Sequence, residues 1–261
     1  MSATTPTPAT QASKRPAGRR ERQREATFAE IVEAARALLA EDGAELSLRA
    51  VAARMGMTAP ALYRYVANYQ ELVDLVAFEI DRAATAGFAA AAEAFPEDDP
   101  AARLCASVSA FRTWALGSPR EFTLAFANPV AGSACGRRET VTVSTSALLF
   151  TDQLRAIYER APYPIPALDE LPDAVREAVL DPLIPAKTDG LAEHERGLLW
   201  VYMQGWVRLY GIVALEVVGH LDPRIIDSGD MFVSTLLDFL PALGLAAERP
   251  RLEAVVRAAI A

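Results

Sequence analysis

The sequence is short of the side chains that most often carry catalysis or hold metals. Its 261 residues include two histidines and two cysteines. Cys105 and Cys135 are far apart, with no CxxC pair and no nearby histidine, so neither a zinc site nor a disulfide framework is predicted. Neither histidine follows a glutamate by three residues, as a di-iron bundle requires, and no Gly-rich phosphate loop, GxSxG elbow or HExxH motif occurs. We therefore expect no enzyme activity, no catalytic residues, no metal and no cofactor.

A long apolar run free of charged residues is also missing. The most apolar stretch, residues 197–221, contains Gln204, Arg208 and Glu216, which a membrane span rarely tolerates and a buried bundle helix does. Residues 1–20 are polar and then basic, without the apolar core of a signal peptide. These absences predict a cytoplasmic protein with reduced thiols and no membrane partner.

Strict alternation of polar and apolar residues, the pattern of half-buried strands, is absent as well. Apolar residues make up 52% of the chain, and Ala- and Leu-rich stretches dominate, which predicts a globular, all-α fold. The first predicted helix, at about residues 24–41, carries an apolar stripe at i, i+3, i+4 and i+7 that begins at Phe28. Gly43 is placed to end this helix.

Two short helices are predicted next, joined by a tight turn. Ser47 is the expected N-cap of the first, and Gly56 ends it after two turns. Thr58 is the expected N-cap of the second, and Pro60 falls in its first turn, where a missing N–H costs nothing. This arrangement is the helix-turn-helix geometry, in which the outward side chains of the second short helix enter a DNA major groove about 12 Å wide.

Longer helices are predicted over the rest of the chain. Asn68, with Glu71 as its capping partner, begins a helix that runs to about residue 94. The remaining predicted helices, separated by Pro/Gly-rich connections, are at about 98–117, 118–127, 139–161, 173–180, 191–219 and 228–243.

The charge is divided unevenly along the chain. The net charge is −8, but residues 1–75 carry 10 Lys/Arg against 9 Asp/Glu, while the remainder carries 16 against 25. Six basic residues lie within the first 26 positions: Lys14, Arg15, Arg19, Arg20, Arg22 and Arg24. This asymmetry favours DNA at the N-terminus and repels it elsewhere, with a merely solvated tail as the alternative.

Residues 24–76 resemble the DNA-binding domain of the tetracycline-repressor (TetR) family, most strongly over residues 46–72, LSLRAVAARMGMTAPALYRYVANYQEL. The matching positions are Gly43, Ala52, Gly56, Leu62, Tyr63 and Leu72. The resemblance implies an all-helical homodimer with two recognition helices and an effector pocket in each C-terminal domain. Tyr69 departs from the family, which commonly has a phosphate-contacting lysine there. DNA affinity is therefore expected to depend more on the basic N-terminal arm.

Three parts of the chain follow from this resemblance: a disordered basic arm (1–19), a helix-turn-helix DNA-binding domain (20–78), and a ligand-binding and dimerisation domain (79–261). Residues 205–219 are similar to the Trp-x3-His-Gly (WHG) type of TetR C-terminal domain, with Tyr210 in place of the histidine. We interpret the predicted helices 191–219 and 228–243 as the four-helix bundle of a dimer. Ordinary packing within one chain is the alternative.

Side-chain chemistry suggests roles at the DNA. Hydroxyls on Ser47, Tyr63, Tyr65 and Tyr69 suit phosphate oxygens, and Arg49 can add a further phosphate contact. Arg64 can bond guanine O6 and N7, or clamp a phosphate instead. The carbon-rich side chains that can touch thymine methyl groups are Thr58, Ala59, Pro60 and Ala61. Ser47 and Thr58 can equally be helix caps only, and Tyr65 can pack inward.

Aromatic side chains are the candidates for the effector pocket. Phe111, Trp114, Phe122, Trp206 and Tyr210 are the predicted ligand-binding residues, with ordinary core packing as the alternative for each. Phe88, Phe126, Phe150 and Tyr158 are further candidates for the lining, and Arg112 or Arg208 can meet an anionic group of a ligand.

The sequence thus predicts a DNA-binding transcriptional regulator, by family analogy a repressor, that binds a palindromic double-stranded operator as a homodimer and is released by a small apolar effector. The alternative is a helical adaptor of the same fold without ligand response, which only the missing lysine at position 69 favours. The sequence does not specify the effector or the operator.

Overall fold

The computed structural model describes residues 18–41, 45–127, 145–182, 186–188 and 190–261. Within these ranges all regular secondary structure is helical, and none of the described residues lies in a β-strand. The all-α prediction is confirmed. Gly43, Cys135 and most of the predicted basic arm lie outside the described residues.

Twelve α-helices form the described part of the fold. They are α1 (Arg19–Ala40), α2 (Leu48–Arg54), α3 (Ala59–Leu62), α4 (Tyr69–Ala92), α5 (Pro100–Gly117), α6 (Pro119–Phe122), α7 (Thr145–Arg160), α8 (Asp173–Leu180), α9 (Gly197–Val217), α10 (Pro223–Ser228), α11 (Asp230–Leu237) and α12 (Arg249–Ile260). A π-helical turn, Thr123–Ala127, continues directly from α6.

The N-terminal helices form a small domain, which we call the head, from α1, α2, α3 and the first half of α4. Ser47 Oγ accepts from the Ala50 N–H at 3.1 Å and begins α2, as predicted. Gly56 makes the following turn with φ 65°, a conformation that favours glycine. Asn68 Oδ1 accepts from the Glu71 N–H at 2.9 Å and begins α4. The head core includes Ile31, Leu38, Val51, Leu62, Val66, Leu72 and Val76.

Helix α1 begins five residues earlier than predicted. The apolar stripe starts only at Phe28, but the preceding residues are mostly arginine, glutamate and glutamine, which are good helix formers. The helix therefore extends back to Arg19, with Gly18 as its N-cap. Arg19, which the sequence assigned to a disordered arm, is the first residue of this helix.

The larger C-terminal part is built on α4, α5 and α7, which pack against one another, with α9 and α12 against α5. Its core begins at Ala84, while the head core ends on α4 at Ile80. Helix α4 therefore belongs to both cores. Leu124, from the π-helical turn, is the member of the head core that comes from the C-terminal part.

Two predictions about the C-terminal helices are wrong. The helix predicted over 228–243 begins only after Gly229, which has φ 67°, and ends as α11 at Leu237, followed by a 3₁₀ turn at Leu240–Leu243. Helix α12 was not predicted at all. It buries Leu252 and Val256 against α5, one turn apart on the same face, so the sequence did carry its apolar spacing.

Two further helix boundaries differ from the prediction. The helix predicted over 118–127 is the short α6 and the π-helical turn, because Pro119 supplies a new helix start after Ser118. The helix predicted over 139–161 is described from Thr145, since residues 128–144 lie outside the described ranges. The predicted helices at 173–180 and 98–117 match α8 and α5 closely.

One segment of the described chain, Glu193–Val217, is long and apolar enough to span a membrane by length and composition alone. It contains α9, whose residues Leu199, Val213 and Glu216 are buried against other parts of the same chain. A glutamate paired with an arginine inside the fold is the arrangement expected of a core helix.

A buried ion pair joins α9 to α5, and its arginine also bonds α10. Arg112 Nε donates to Glu216 Oε2 at 2.7 Å, and Arg112 Nη2 donates to the Ile226 carbonyl at 2.5 Å. Both side chains are almost fully buried, and the Arg112 guanidinium lies 5.3 Å from the centre of the Phe232 ring. Arg112 is therefore neither at the surface nor available for an anionic ligand, which corrects its prediction as a ligand contact.

Replacing Glu216 with alanine should strongly destabilise the protein, because it leaves the Arg112 charge buried without its carboxylate. We expect a loss of about 3–5 kcal/mol in the free energy of unfolding, measured by urea denaturation. Asp230→Ala breaks the surface pair with Arg257 and is the matched control, with an expected loss of under about 1 kcal/mol. Equal losses of unfolding free energy in the two variants would contradict the claim that burial makes the Arg112–Glu216 pair important for stability.

Candidate functional site

The segment from Ser47 to Tyr69 presents several polar side chains to solvent. Tyr63 is 51% exposed, and Tyr69 is 41% exposed at the start of α4. Arg49 and Arg64 are exposed, and neither forms an ion pair within the described part of the chain. Two guanidinium groups and two phenols on one helix-turn-helix are therefore available to a partner. We call the ten predicted DNA-contacting residues of this segment the head surface.

The two predicted caps of the head surface differ. Ser47 uses its oxygen as an acceptor for the Ala50 N–H, which leaves its O–H proton free to donate. Thr58 occupies the N-cap position of α3, but its hydroxyl makes no capping bond. Thr58 is thus the N-cap residue, as predicted, but it caps without its side chain, which is exposed and free for other contacts.

Tyr65 is the exception among the tyrosines of the head surface. Its ring lies edge-on to Phe28 of α1, with centroids 5.9 Å apart, and the side chain is half-buried against the head core. The alternative of inward packing is thus correct for its ring. Ala59 and Ala61 are also half-buried, whereas Pro60 is exposed between them.

The five predicted effector-binding residues belong to one group of rings, which we call the aromatic cluster. Its members are Phe88, Phe111, Trp114, Phe122, Phe126, Phe150, Trp206 and Tyr210. Phe111 is central, because its ring centroid lies 5.5–6.2 Å from those of six others. Tyr158 lies apart, with its ring 5.2 Å from that of Tyr163.

Burial divides the aromatic cluster into an inner and an outer group. Phe111 and Phe122 are completely buried, while Trp114, Trp206 and Tyr210 are half-buried. The Tyr210 hydroxyl donates to the Phe126 carbonyl at 3.2 Å, so it also holds the π-helical turn. The rings fill the space between α4, α5, α7 and α9, so a ligand that enters there must exchange ring–ring contacts for ring–ligand contacts.

The segment Pro119–Ala127 joins the aromatic cluster to the head, and we call it the bridge. Phe122 and Phe126 point into the cluster, whereas Leu124 lies in the head core. Glu121 accepts from Arg36 Nε of α1 at 2.6 Å and from Arg36 Nη2 at 3.2 Å. Sequence reasoning missed the bridge, because a π-helical turn has no sequence pattern of its own.

Arg120 of the bridge adds contacts at the end of α1. Its Nη1 donates to the carbonyls of Leu39 and Glu41, at 3.1 and 2.7 Å. These carbonyls lie at the C-terminus of α1, where helix carbonyls lack intrahelical partners and the helix dipole favours a positive charge. The bridge thus contacts α1 through both a carboxylate and a guanidinium.

Metal or thiol chemistry finds no site in the described residues. Among them, no group of three or more His, Cys, Asp and Glu side chains is placed to hold a metal ion. Cys105 is buried, and burial raises the pKa of its thiol to about 12. Its thiolate, the reactive form, is thus scarce at neutral pH.

A surface cleft of about 400 Å³ lies away from both sites, between the α4–α5 connection, the end of α7 and the start of α12. Its charged residues largely neutralise one another, since Arg251 Nη1 donates to Asp99 Oδ2 at 2.5 Å and also pairs with Glu248. The cleft offers a ligand little uncompensated charge.

Two family models match the chain. Residues 31–76 are similar to bacterial regulatory proteins of the tetR family, and residues 104–240 to the tetracyclin repressor-like C-terminal domain. The first match covers most of the head, and the second covers the bridge and most of the aromatic cluster.

Individual relatives agree with these matches. The HTH-type transcriptional regulators Rv1816 of Mycobacterium tuberculosis and Mb1846 of Mycobacterium bovis are each 32% identical over 232 residues, covering 82% of this chain and 91% of theirs. The crystal structure of SCO4313, described as a regulatory protein, is 29% identical. It superposes with a TM-score of 0.56 over 86% of this chain and all of its own.

Proposed function

The chain belongs to the TetR family of bacterial transcriptional regulators, and from that premise we propose that it is a cytoplasmic repressor that binds a palindromic operator as a homodimer. A small apolar effector, bound in the aromatic cluster of each protomer, releases it from DNA. The observation that carries the proposal is the head surface, where Tyr63, Arg64 and Arg49 are exposed on a helix-turn-helix.

The proposed contacts follow from what each side chain can donate. In this proposal α3 enters the major groove, and Tyr63, Tyr69 and the free O–H of Ser47 donate to phosphate oxygens. Arg64 bonds guanine O6 and N7, and Arg49 adds a phosphate contact. The methyl and methylene groups that meet thymine are those of Thr58, Ala59, Pro60 and Ala61. Because its ring is held by Phe28, Tyr65 reaches a phosphate only through its hydroxyl.

Two steps test whether the head surface binds DNA. The operator is first identified by selecting bound DNA from a random library, and variants of two adjacent residues are then measured on it. Tyr63→Phe removes one phosphate hydrogen bond, so affinity should fall about two- to tenfold for specific and non-specific DNA alike. Arg64→Ala should cost about 1–3 kcal/mol and relax the preference at one base pair. Fluorescence polarisation measures both effects, and Arg224→Ala, a distant exposed arginine, is the control.

A change of sequence preference without loss of affinity in Tyr63→Phe would overturn the role given to that residue. Failure of the protein to bind any selected duplex would favour the alternative of a helical adaptor.

For the dimer interface we propose one face of α9. Val207, Leu215 and Val218 are exposed apolar side chains, and Val207 is 68% exposed. Gly211 lies between them at helical spacing, and a Cβ placed on it would meet no atom within 4 Å. A small residue flanked by exposed apolar side chains permits close approach of a second helix. The predicted bundle also included a helix over 228–243. In the structure α11 takes its place, and Met231 of α11 is exposed.

Val207→Asp should convert the dimer to a monomer, because it places a charge within an apolar helix–helix contact. Light scattering at micromolar concentration measures the mass, and a gel shift should show that operator affinity falls with it. Leu180→Asp is the matched control, since Leu180 is an exposed apolar residue of α8 outside this face. A wild-type protein that is already a monomer would refute the proposed interface.

We propose that the bridge transmits effector binding to the head. Its Phe122 and Phe126 belong to the aromatic cluster, while its Glu121 is paired with Arg36 of α1. A ligand that separates the rings therefore displaces the residues that hold α1. Such coupling is a difference in affinity between two states, and a tenfold weakening of DNA binding requires about 1.4 kcal/mol.

Glu121→Gln should weaken this coupling while operator affinity without effector changes by no more than about threefold, because the glutamine oxygen can still accept from Arg36 and only the charge is lost. The measurement is the concentration of a releasing compound, found by screening, that displaces half of the operator. We expect it to rise about tenfold, as for a loss of most of the coupling. Glu79→Gln, which breaks an exposed ion pair on α4, is the control and should leave release unchanged.

A further inference from the structure

One buried side chain at the edge of the aromatic cluster has an acceptor atom without a partner. Gln153 of α7 is 8% exposed, and its Oε1 accepts no hydrogen bond from any described residue. Its Nε2 donates to Ser107 Oγ at 2.8 Å, and Ser107 Oγ donates to the Phe88 carbonyl at 3.0 Å. Both serine and glutamine lie within the interface of α4, α5 and α7.

This chain of hydrogen bonds fixes the orientation of the Gln153 amide. The one hydroxyl proton of Ser107 is used on the Phe88 carbonyl, so Ser107 Oγ can only accept from Gln153. The amide nitrogen must therefore face Ser107, and the amide oxygen must face away from it. Rotating the amide by 180° would require Ser107 to give up its bond to the Phe88 carbonyl and donate to the amide oxygen instead, so the observed orientation is the one that keeps both bonds.

The Gln153 amide adjoins the backbone of the aromatic cluster, because its partner Ser107 donates to the carbonyl of Phe88. Phe150 precedes Gln153 by one turn of α7, and its ring is stacked on that of Phe88, with centroids 6.2 Å apart. Ser146 lies on the same face of α7, fully buried, and its Oγ likewise has no partner among the described residues. A buried acceptor without a partner destabilises the fold, so its presence beside a proposed ligand site needs a reason.

We infer that the effector is an uncharged aromatic molecule carrying a hydroxyl or N–H group, which donates to Gln153 Oε1 while its ring packs among those of the aromatic cluster. This inference rests on the proposed function, because it specifies the ligand of the same site. An anionic effector is disfavoured, since Gln153 offers it an acceptor and the Arg112 guanidinium is already paired with Glu216.

A matched pair of small aromatic compounds tests the inference. 2-Naphthol carries a hydroxyl donor, whereas 2-fluoronaphthalene has nearly the same shape and no donor. Isothermal titration of the full-length protein should give a dissociation constant about tenfold lower for 2-naphthol, because the acceptor already lost its water when the protein folded. Both compounds should also release operator DNA, in the order of their affinities.

Gln153→Met removes the acceptor and keeps an unbranched side chain of similar length. In this variant the dissociation constants of the two compounds should differ by less than about twofold, or 2-fluoronaphthalene should bind more tightly. Its melting temperature should stay close to that of the wild type, because removal of a buried acceptor without a partner offsets the lost hydrogen bond to Ser107. Tyr202→Phe removes another buried, unpartnered oxygen outside the aromatic cluster and should leave the preference unchanged.

The outcomes separate the inference from the function on which it rests. Equal affinity of the wild type for the two compounds, with release of DNA by both, would overturn the role of Gln153 and leave effector control intact. Binding of both compounds without release of DNA would overturn effector control through this site. A tenfold preference that survives Gln153→Met would also refute the inference, since another residue would then accept the bond.

Discussion

The packing of six rings around Phe111 is the interaction on which the C-terminal part of the molecule depends. These rings come from α4, α5, the bridge, α7 and α9, so a single side chain of α5 contacts residues from every element around it. Aromatic pairs contribute about 0.5–1.5 kcal/mol each beyond the area they bury. Disturbing Phe111 therefore affects all of these helices together. The same packing fixes Phe122 and Phe126 of the bridge, and the adjacent bridge residues Arg120 and Glu121 contact α1.

Local sequence patterns predicted the head well, because its structure is set by local chemistry. Ser47, Gly56 and Asn68 act within three or four residues of themselves, through a cap or a left-handed turn. The C-terminal part depends on contacts between distant residues, which local patterns do not contain. Nothing adjacent to Arg112 indicated its partner 104 residues away.

The aromatic cluster was predictable in composition and not in arrangement. The five residues chosen for it do come together, because large aromatic side chains in helical proteins tend to be buried. Gln153 was overlooked, although a polar residue on the apolar face of α7, between Phe150 and Leu154, was a visible signal. The unpartnered oxygen of its amide becomes evident only from the contacts with Ser107 and the Phe88 carbonyl, and both of these belong to other helices.

The π-helical turn of the bridge has a consequence for how this segment can evolve. Such a turn holds one residue more than the α-helical turn it replaces, and each residue of an α-helix rotates the next by about 100°. Deleting one residue between Thr123 and Ala127 would restore an ordinary helix and rotate everything after the deletion by that angle. If the deleted residue is Ala125, Leu124 and Phe126 become neighbours about 100° apart and can no longer face different cores. Insertions and deletions would thus be selected against in this segment, unlike in other surface turns. Its length should vary less among homologous proteins than its amino-acid composition does.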